Sequence, residues 1–366
     1  MVRPMHGHKA HNRAVAWFGA EITWKERMID TSACLVGAAP RTVVAVLGPP
    51  RSGTSAITRA LECLGVDLGN AQDHRTADPA NPKGFWEDLS IIDLCARGLA
   101  AHNLPWYGLQ LLTAEDWQTP KGRELLAEAT DLINRRVGSS ARGIWGCKNP
   151  QMGRMIWLWM EAFNNARCRD CYVIALRNPL SVAASVVRGS PHFAVGCSPT
   201  HLHLMWLMYH IGAMETVLAG KPAVVVDFDC MMANPGAGLE RISAALALPI
   251  PPGNQHAIDS YGEKFLDKTL RHTEFLLSDL AADPRVPGLV YRAYEALLDA
   301  AHDRQILQGE DFRKRWGAIT DEAMDRNSIF RLIDQIDNRL TRSRYVARII
   351  YRHSPKPLRR WLARLA

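Results

Sequence analysis

The chain has 366 residues, 47% of them hydrophobic and 22% charged, enough to bury one large core or two modest ones. That balance excludes a disordered chain, and no apolar run approaches the roughly 18 residues of a membrane span. The net charge of +7 lies at one end: residues 339–366 carry nine basic side chains (eight Arg and Lys356) and no acid, which leaves −2 elsewhere.

Residues 1–40 are mixed in character and carry Lys25, Glu26 and Arg27 where a secretory leader needs an apolar stretch. They are expected to be an N-terminal extension without a secretory signal. Residues 42–47, TVVAVL, form a β-branched apolar run that ends at Gly48-Pro49-Pro50, which predicts a buried strand entering a turn. From Thr54, Ile57, Leu61 and Leu64 recur at helical spacing until Gly65, so a helix follows the turn.

Against the Walker phosphate-loop pattern, Gly48 and Gly53 have the correct separation, but Thr54 and Ser55 come next and the basic residue is Arg51, inside the loop. Amides around Ser52–Ser55 can still cradle an anion. The lysine that reaches β- and γ-phosphates is absent, so the loop suits a shorter anionic group.

Three more apolar runs predict buried strands: GIWGCK near Ile144, CYVIAL over 171–176 and AVVVDF over 223–228. Helical patterns over 179–188, 201–218 and 235–246 separate them. Alternating strands and helices imply an α/β fold with a central parallel sheet flanked by helices, and ligands in such sheets bind at the carboxyl ends of the strands. After about Asp283 the pattern is helical and charged. The expected organisation is therefore an extension at 1–40, an α/β domain at 41–285 and a helical extension at 286–366.

With these motifs in place, the chain resembles the sulfotransferase superfamily, whose donor is 3′-phosphoadenosine 5′-phosphosulfate (PAPS). The family's 5′-phosphosulfate loop has a basic residue followed by Ser-Gly-Thr, which PRSGTS matches; its second element, an Arg followed eight positions later by Ser, is matched by Arg177 and Ser185 in LRNPLSVAAS. The segments NPKGFWED, GCKNPQM, MWLMYHIGAMET, VVVDFDCMMANP and FLDKTLRH also look like bacterial relatives, so the resemblance spans roughly 42–274. One departure stands out: relatives usually have Lys-Asp-Pro-Arg where this chain has Lys148-Asn149-Pro150-Gln151.

The resemblance implies a PAPS-dependent P-loop-type transferase acting on a hydroxyl or amine, with saccharides and glycolipids among candidate acceptors. Arg51, Ser52, Gly53, Thr54 and Ser55 would hold the phosphosulfate, and Arg177 and Ser185 the 3′-phosphate. Arg51 is the expected cation beside the leaving phosphate, and Lys148 is a second candidate to assist the sulfuryl group. Glu87, between aromatic neighbours expected to raise its pKa, is the leading candidate base, with Asp88 and His192 as alternates. The bland alternative for Glu87 is a helix cap or a pair with Lys83.

No metal is expected: His201 and His203 are two apart and face different ways on a helix, and His210 lies farther along it. Cys168 and Cys171 lack a second matching pair, so the eight cysteines are expected to be reduced thiols in a cytoplasmic protein. The tail RYVARIIYRHSPKPLRRWLARL is expected to form two short basic amphipathic segments split at SPKP. They would lie on an anionic membrane surface, making the protein peripheral at the inner membrane, or pack on the domain; nucleic acid is a weaker fit. A P-loop nucleotide kinase and an inactive membrane-attached binding protein are the alternative functions. Loops at 73–82, 99–119 and 190–200 are expected to choose the acceptor, with Trp86, Trp106, Tyr107 and Trp117 suited either to stacking on a ring or to the core.

Overall fold

Four strands form one parallel sheet: β1 (Thr42–Leu47), β2 (Ile144–Lys148), β3 (Arg169–Leu176) and β4 (Ala223–Asp227), in spatial order β2-β1-β3-β4. This computed structural model describes residues 41–78, 81–189, 197–266 and 273–353, with 342–353 described by their backbone alone. The extension at 1–40, His192, most of the 190–200 loop, residues 267–272 and the tail beyond 353 lie outside the described residues.

The longer helices, in chain order, are α1 (Thr54–Ala60), α2 (Leu89–Ala101), α3 (Pro120–Ser139), α4 (Ile156–Asn165), α5 (Pro179–Gly189) and α6 (Pro199–Leu218). They continue with α7 (Pro235–Leu246), α8 (Gly288–His302), α9 (Glu310–Asp325) and α10 (Asn327–His353).

The strands are apolar at almost every position because both faces are covered. Val43, Ala45, Leu47, Tyr172, Ile174 and Leu176 point to one side and join Trp159 and Phe163 of α4, Trp206 of α6 and Leu297 of α8. Val44, Val46, Val173, Ala175, Val224 and Val226 point to the other and meet Ile57 of α1 and Leu239, Ile242 and Leu246 of α7. Leu289, Val290 and Ala293 of α8, together with Trp316 of α9 and Phe330 of α10, belong to the first of these clusters.

Register sets the rest. Val46 pairs with Lys148 across β1–β2, Leu47 with Ile174 across β1–β3, and Leu176 with Asp227 across β3–β4. The carboxyl ends therefore line up along one edge of the sheet. The chain leaves β1 toward β2 and then crosses to β3 on the opposite side, so β1 is the switch point where such sheets open a crevice.

Candidate active site at the carboxyl ends of the strands

The loop after β1 is held in a shape that two of its residues alone make possible. Gly48 has φ +136, and a side chain there would press within 2.8 Å of the Ala175 carbonyl. Gly53 has φ +87, and its Cβ would fall 2.0 Å from the Phe228 ring. Both positions need glycine for conformation and for space. Arg51 between them also has a left-handed backbone, φ 72, so the loop turns its side chain sharply. Ser52 closes the turn by donating from Oγ to the Pro49 carbonyl at 2.7 Å. At the start of α1, no side chain caps the first-turn amides.

Two groups of side chains flank this loop. On the β3 side, Arg51 Nε donates to Ser185 Oγ at 3.0 Å, and Arg177 donates from its guanidinium to the Arg51 carbonyl at 3.1 Å. Arg177 leaves the end of β3, is buried, and lies with its guanidinium 5.0 Å from the centre of the Phe228 ring. Its own carbonyl accepts from Trp206 Nε1 at 3.0 Å, which ties the strand end to α6. Burial pushes the Arg51 guanidinium below its ordinary pKa; Asp78 opposes this and Arg188 adds to it.

On the β2 side, Lys148 is 2% exposed and its ammonium spends three donors on Glu87 Oε1 at 2.7 Å, the Phe85 carbonyl at 2.9 Å and Ser55 Oγ at 3.2 Å. Burial lowers the lysine pKa, with Glu87 pulling it back up. Arg75 approaches the other Glu87 oxygen at 3.6 Å, stacks on the Phe85 ring at 3.6 Å, and donates its backbone N–H to the Glu87 carbonyl at 2.8 Å. Asn81 locks the arrangement by donating to Ser55 Oγ and the Gly84 carbonyl.

The expected site residues Arg51, Ser52, Gly53, Thr54, Ser55, Glu87, Lys148, Arg177 and Ser185 thus share one edge of the sheet. The surroundings of Glu87 differ from the expected ones: two cations border it, and its partner is Lys148, whereas Lys83 donates to the Lys264 carbonyl. Asp88 is committed elsewhere, capping α2 through Ser90 N and accepting from Arg136 Nε at 2.8 Å. Asn149, where relatives carry Asp, caps the following turn by accepting from Gln151 N at 2.8 Å, a bond an aspartate would also accept.

Two contributors carried no sequence signal. Arg75 sits in a loop and meets Glu87 through an irregular backbone pairing, and Phe228 is an ordinary apolar residue until Gly53 is packed against it. Of the aromatic candidates, Trp117 is buried, Tyr107 donates to Asp337 at 2.8 Å, and Trp86 packs edge-on to His74 and Phe265 beside Arg59.

The histidines of α6 are spread out. His201 bonds the Tyr107 carbonyl, His203 the Arg285 carbonyl, and the buried His210 the Trp206 carbonyl, with burial lowering the His210 pKa to about 4. Among the described residues, no three His, Cys, Asp or Glu side chains converge as a metal site. The seven described cysteines are free thiols.

No protein-family model matches the chain, and no curated protein matches it. It is similar to the solved sulfotransferase domain from the curacin biosynthetic pathway, at 15% identity over 72% of this chain and 99% of that one, with a TM-score of 0.40. It is also similar to the sulfotransferase domain from the Synechococcus PCC 7002 olefin synthase, at 15% identity over 73% and 96% of the two chains, with a TM-score of 0.39.

Proposed function

We propose that the chain is a sulfotransferase that takes a sulfuryl group from PAPS and gives it to a hydroxyl or amine of an acceptor. The observation that carries this reading is the meeting of Arg51, Ser185 and Arg177. The arginine and serine of an eight-residue spacing, just after β3 and on α5, are bonded to the loop after β1, a junction suited to two separate anionic groups of one ligand. When bound, the donor supplies a sulfuryl group on a phosphate leaving group.

The residues then divide the work. The amides of the loop, Ser52, Thr54 and Ser55 grip the phosphosulfate. Arg177 and Ser185 take the 3′-phosphate, and Arg51, bonded to Ser185, bridges the two ends. Lys148, bonded to Ser55, stands where charge builds on the transferring group, in the manner of a fixed electrostatic catalyst. Glu87 accepts the acceptor's proton as the oxygen or nitrogen attacks sulfur and the sulfur–oxygen bond to phosphate breaks. An incoming anion that competes for the Lys148 ammonium releases Glu87 for that role.

A second reading rests on one observation. Lys148 brings to Ser55 the ammonium that the loop lacks at position 54, which a nucleotide triphosphate would also use. Thermal stabilisation separates the two. Adenosine 3′,5′-bisphosphate is expected to raise Tm more than ATP or 5′-AMP, by the equivalent of about 2.7 kcal/mol at 100 times its Kd. Ser185→Ala and Arg177→Ala are expected to weaken that shift, with turnover of PAPS measured alongside. Equal or greater stabilisation by ATP would replace the donor assignment with a triphosphate.

A further inference from the structure

α10 carries its charges in an inverted order. Its acids face the domain: Asp334, 3% exposed, accepts from Leu109 N at 2.9 Å and Gln110 N at 2.7 Å, and Asp337 accepts from Tyr107. Asn327 brackets Leu111 by accepting from its N–H and donating to its carbonyl, while Phe330 enters the core. The opposite face shows Ile329, Leu332, Ile333, Ile336 and Leu340, between 36% and 57% exposed. The 329-333-336-340 spacing makes this one continuous stripe.

The charged residues exposed on α10 up to position 341 are Arg331 and Arg339. The sequence beyond adds Arg342, Arg344, Arg348 and Arg352 on the same helix, and no acid follows Asp337 to the end of the chain.

We infer that the outer face of α10 docks on an anionic membrane leaflet, with the helix lying along the surface. The apolar stripe would enter the boundary between headgroups and acyl chains, and the arginines would meet lipid phosphates. Charge favours this occupant over a parallel second copy, in which Arg339 and the arginines after it would run beside their counterparts, and it matches the arginines to lipid phosphates. Among the described residues no helix is long and apolar enough to cross a membrane, so the docked state lies on the leaflet. This surface stands independently of the proposed reaction, and it begins upstream of the tail that the sequence pattern nominated.

The test is co-sedimentation of the full chain with vesicles of phosphatidylcholine alone and of phosphatidylcholine mixed with phosphatidylglycerol. The variant Leu332→Glu/Ile336→Glu changes two exposed positions, and an unchanged Tm and circular dichroism spectrum confirm its fold. The expected result is binding to the anionic vesicles alone, weakened by high salt and reduced about tenfold or more in the variant. Three results would overturn the proposal: no binding to anionic vesicles, binding that the variant leaves unchanged, or a doubled solution mass that the variant returns to one chain.

Discussion

The carboxyl edge of the sheet and the outer face of α10 both depart from the usual apolar-inside, charged-outside arrangement, in opposite directions. At the sheet edge, charge is buried: Lys148, Glu87 and Arg177 are all under 9% exposed, and the three donors of Lys148 are spent on protein oxygens. On α10, apolar side chains are exposed while the acids are turned inward and bonded. Buried charge is stable only where it is bonded, so the edge is a rigid, preorganised constellation. Exposed apolar surface has no such internal compensation, and its logic lies in what it meets outside. On the readings proposed above, one region would act on a small anion and the other would engage a surface.

The largest effect that sharpens this contrast is catalytic. Glu87→Gln is expected to lower kcat on PAPS and an accepting alcohol by about 10² to 10⁴, while bisphosphate still raises Tm. Retained kcat would remove Glu87 from the base role and leave the constellation a purely binding one. Next comes the buried pair. Lys148→Met is expected to cost about 3–5 kcal/mol in urea unfolding because it strands Glu87, and Lys148→Met/Glu87→Leu should recover much of that loss. A double variant no more stable than the single one would mean the pair is not energetically coupled.

On the other region, Asp334→Ala leaves two buried amides of residues 109 and 110 without an acceptor and is expected to cost about 1–3 kcal/mol. Unchanged stability would show that the inward acids do not fasten α10.

A pH-dependent contribution separates the core between these regions. The His210 pKa, about 4 when folded, lies below its ordinary value of 6.5, and burial is the first cause. Its stabilising contribution is therefore complete above about pH 6.5 and is lost as pH falls through about 4, because the unfolded chain binds the proton more readily. Unfolding free energy measured between those values should fall with acid, and part of that slope should disappear in His210→Gln. The smallest expected change is in the Leu332→Glu/Ile336→Glu variant, whose stability should stay within about 0.5 kcal/mol of the parent.

Much of the candidate site was legible because its signals are local. A β-branched run, two glycines at fixed separation and a helical repeat define the loop, and β1 and α1 begin at Thr42 and Thr54 as that pattern predicts. The runs GIWGCK at 143–148, CYVIAL at 171–176 and AVVVDF at 223–228 became β2, β3 and β4 within two residues of their predicted bounds. The tail was less legible. The first of the two expected segments is the end of a longer helix that runs from Asn327 to His353, whose exposed stripe begins sixteen residues before Tyr345, the first apolar residue of that segment; the second segment lies outside the described residues.

Sequence by itself determined what depends on neighbours along the chain: strand and helix periods, the glycines of the loop, the Arg177–Ser185 spacing and the one-sided charge of the end. Only the tertiary structure decided which partners meet. The order β2-β1-β3-β4 brings Lys148 to Ser55 and Glu87, Arg51 to Ser185, and Arg75 to Glu87. The reason is physical: these contacts are made by crossover connections and a loop packed against a strand end, and their sequence separations follow no period.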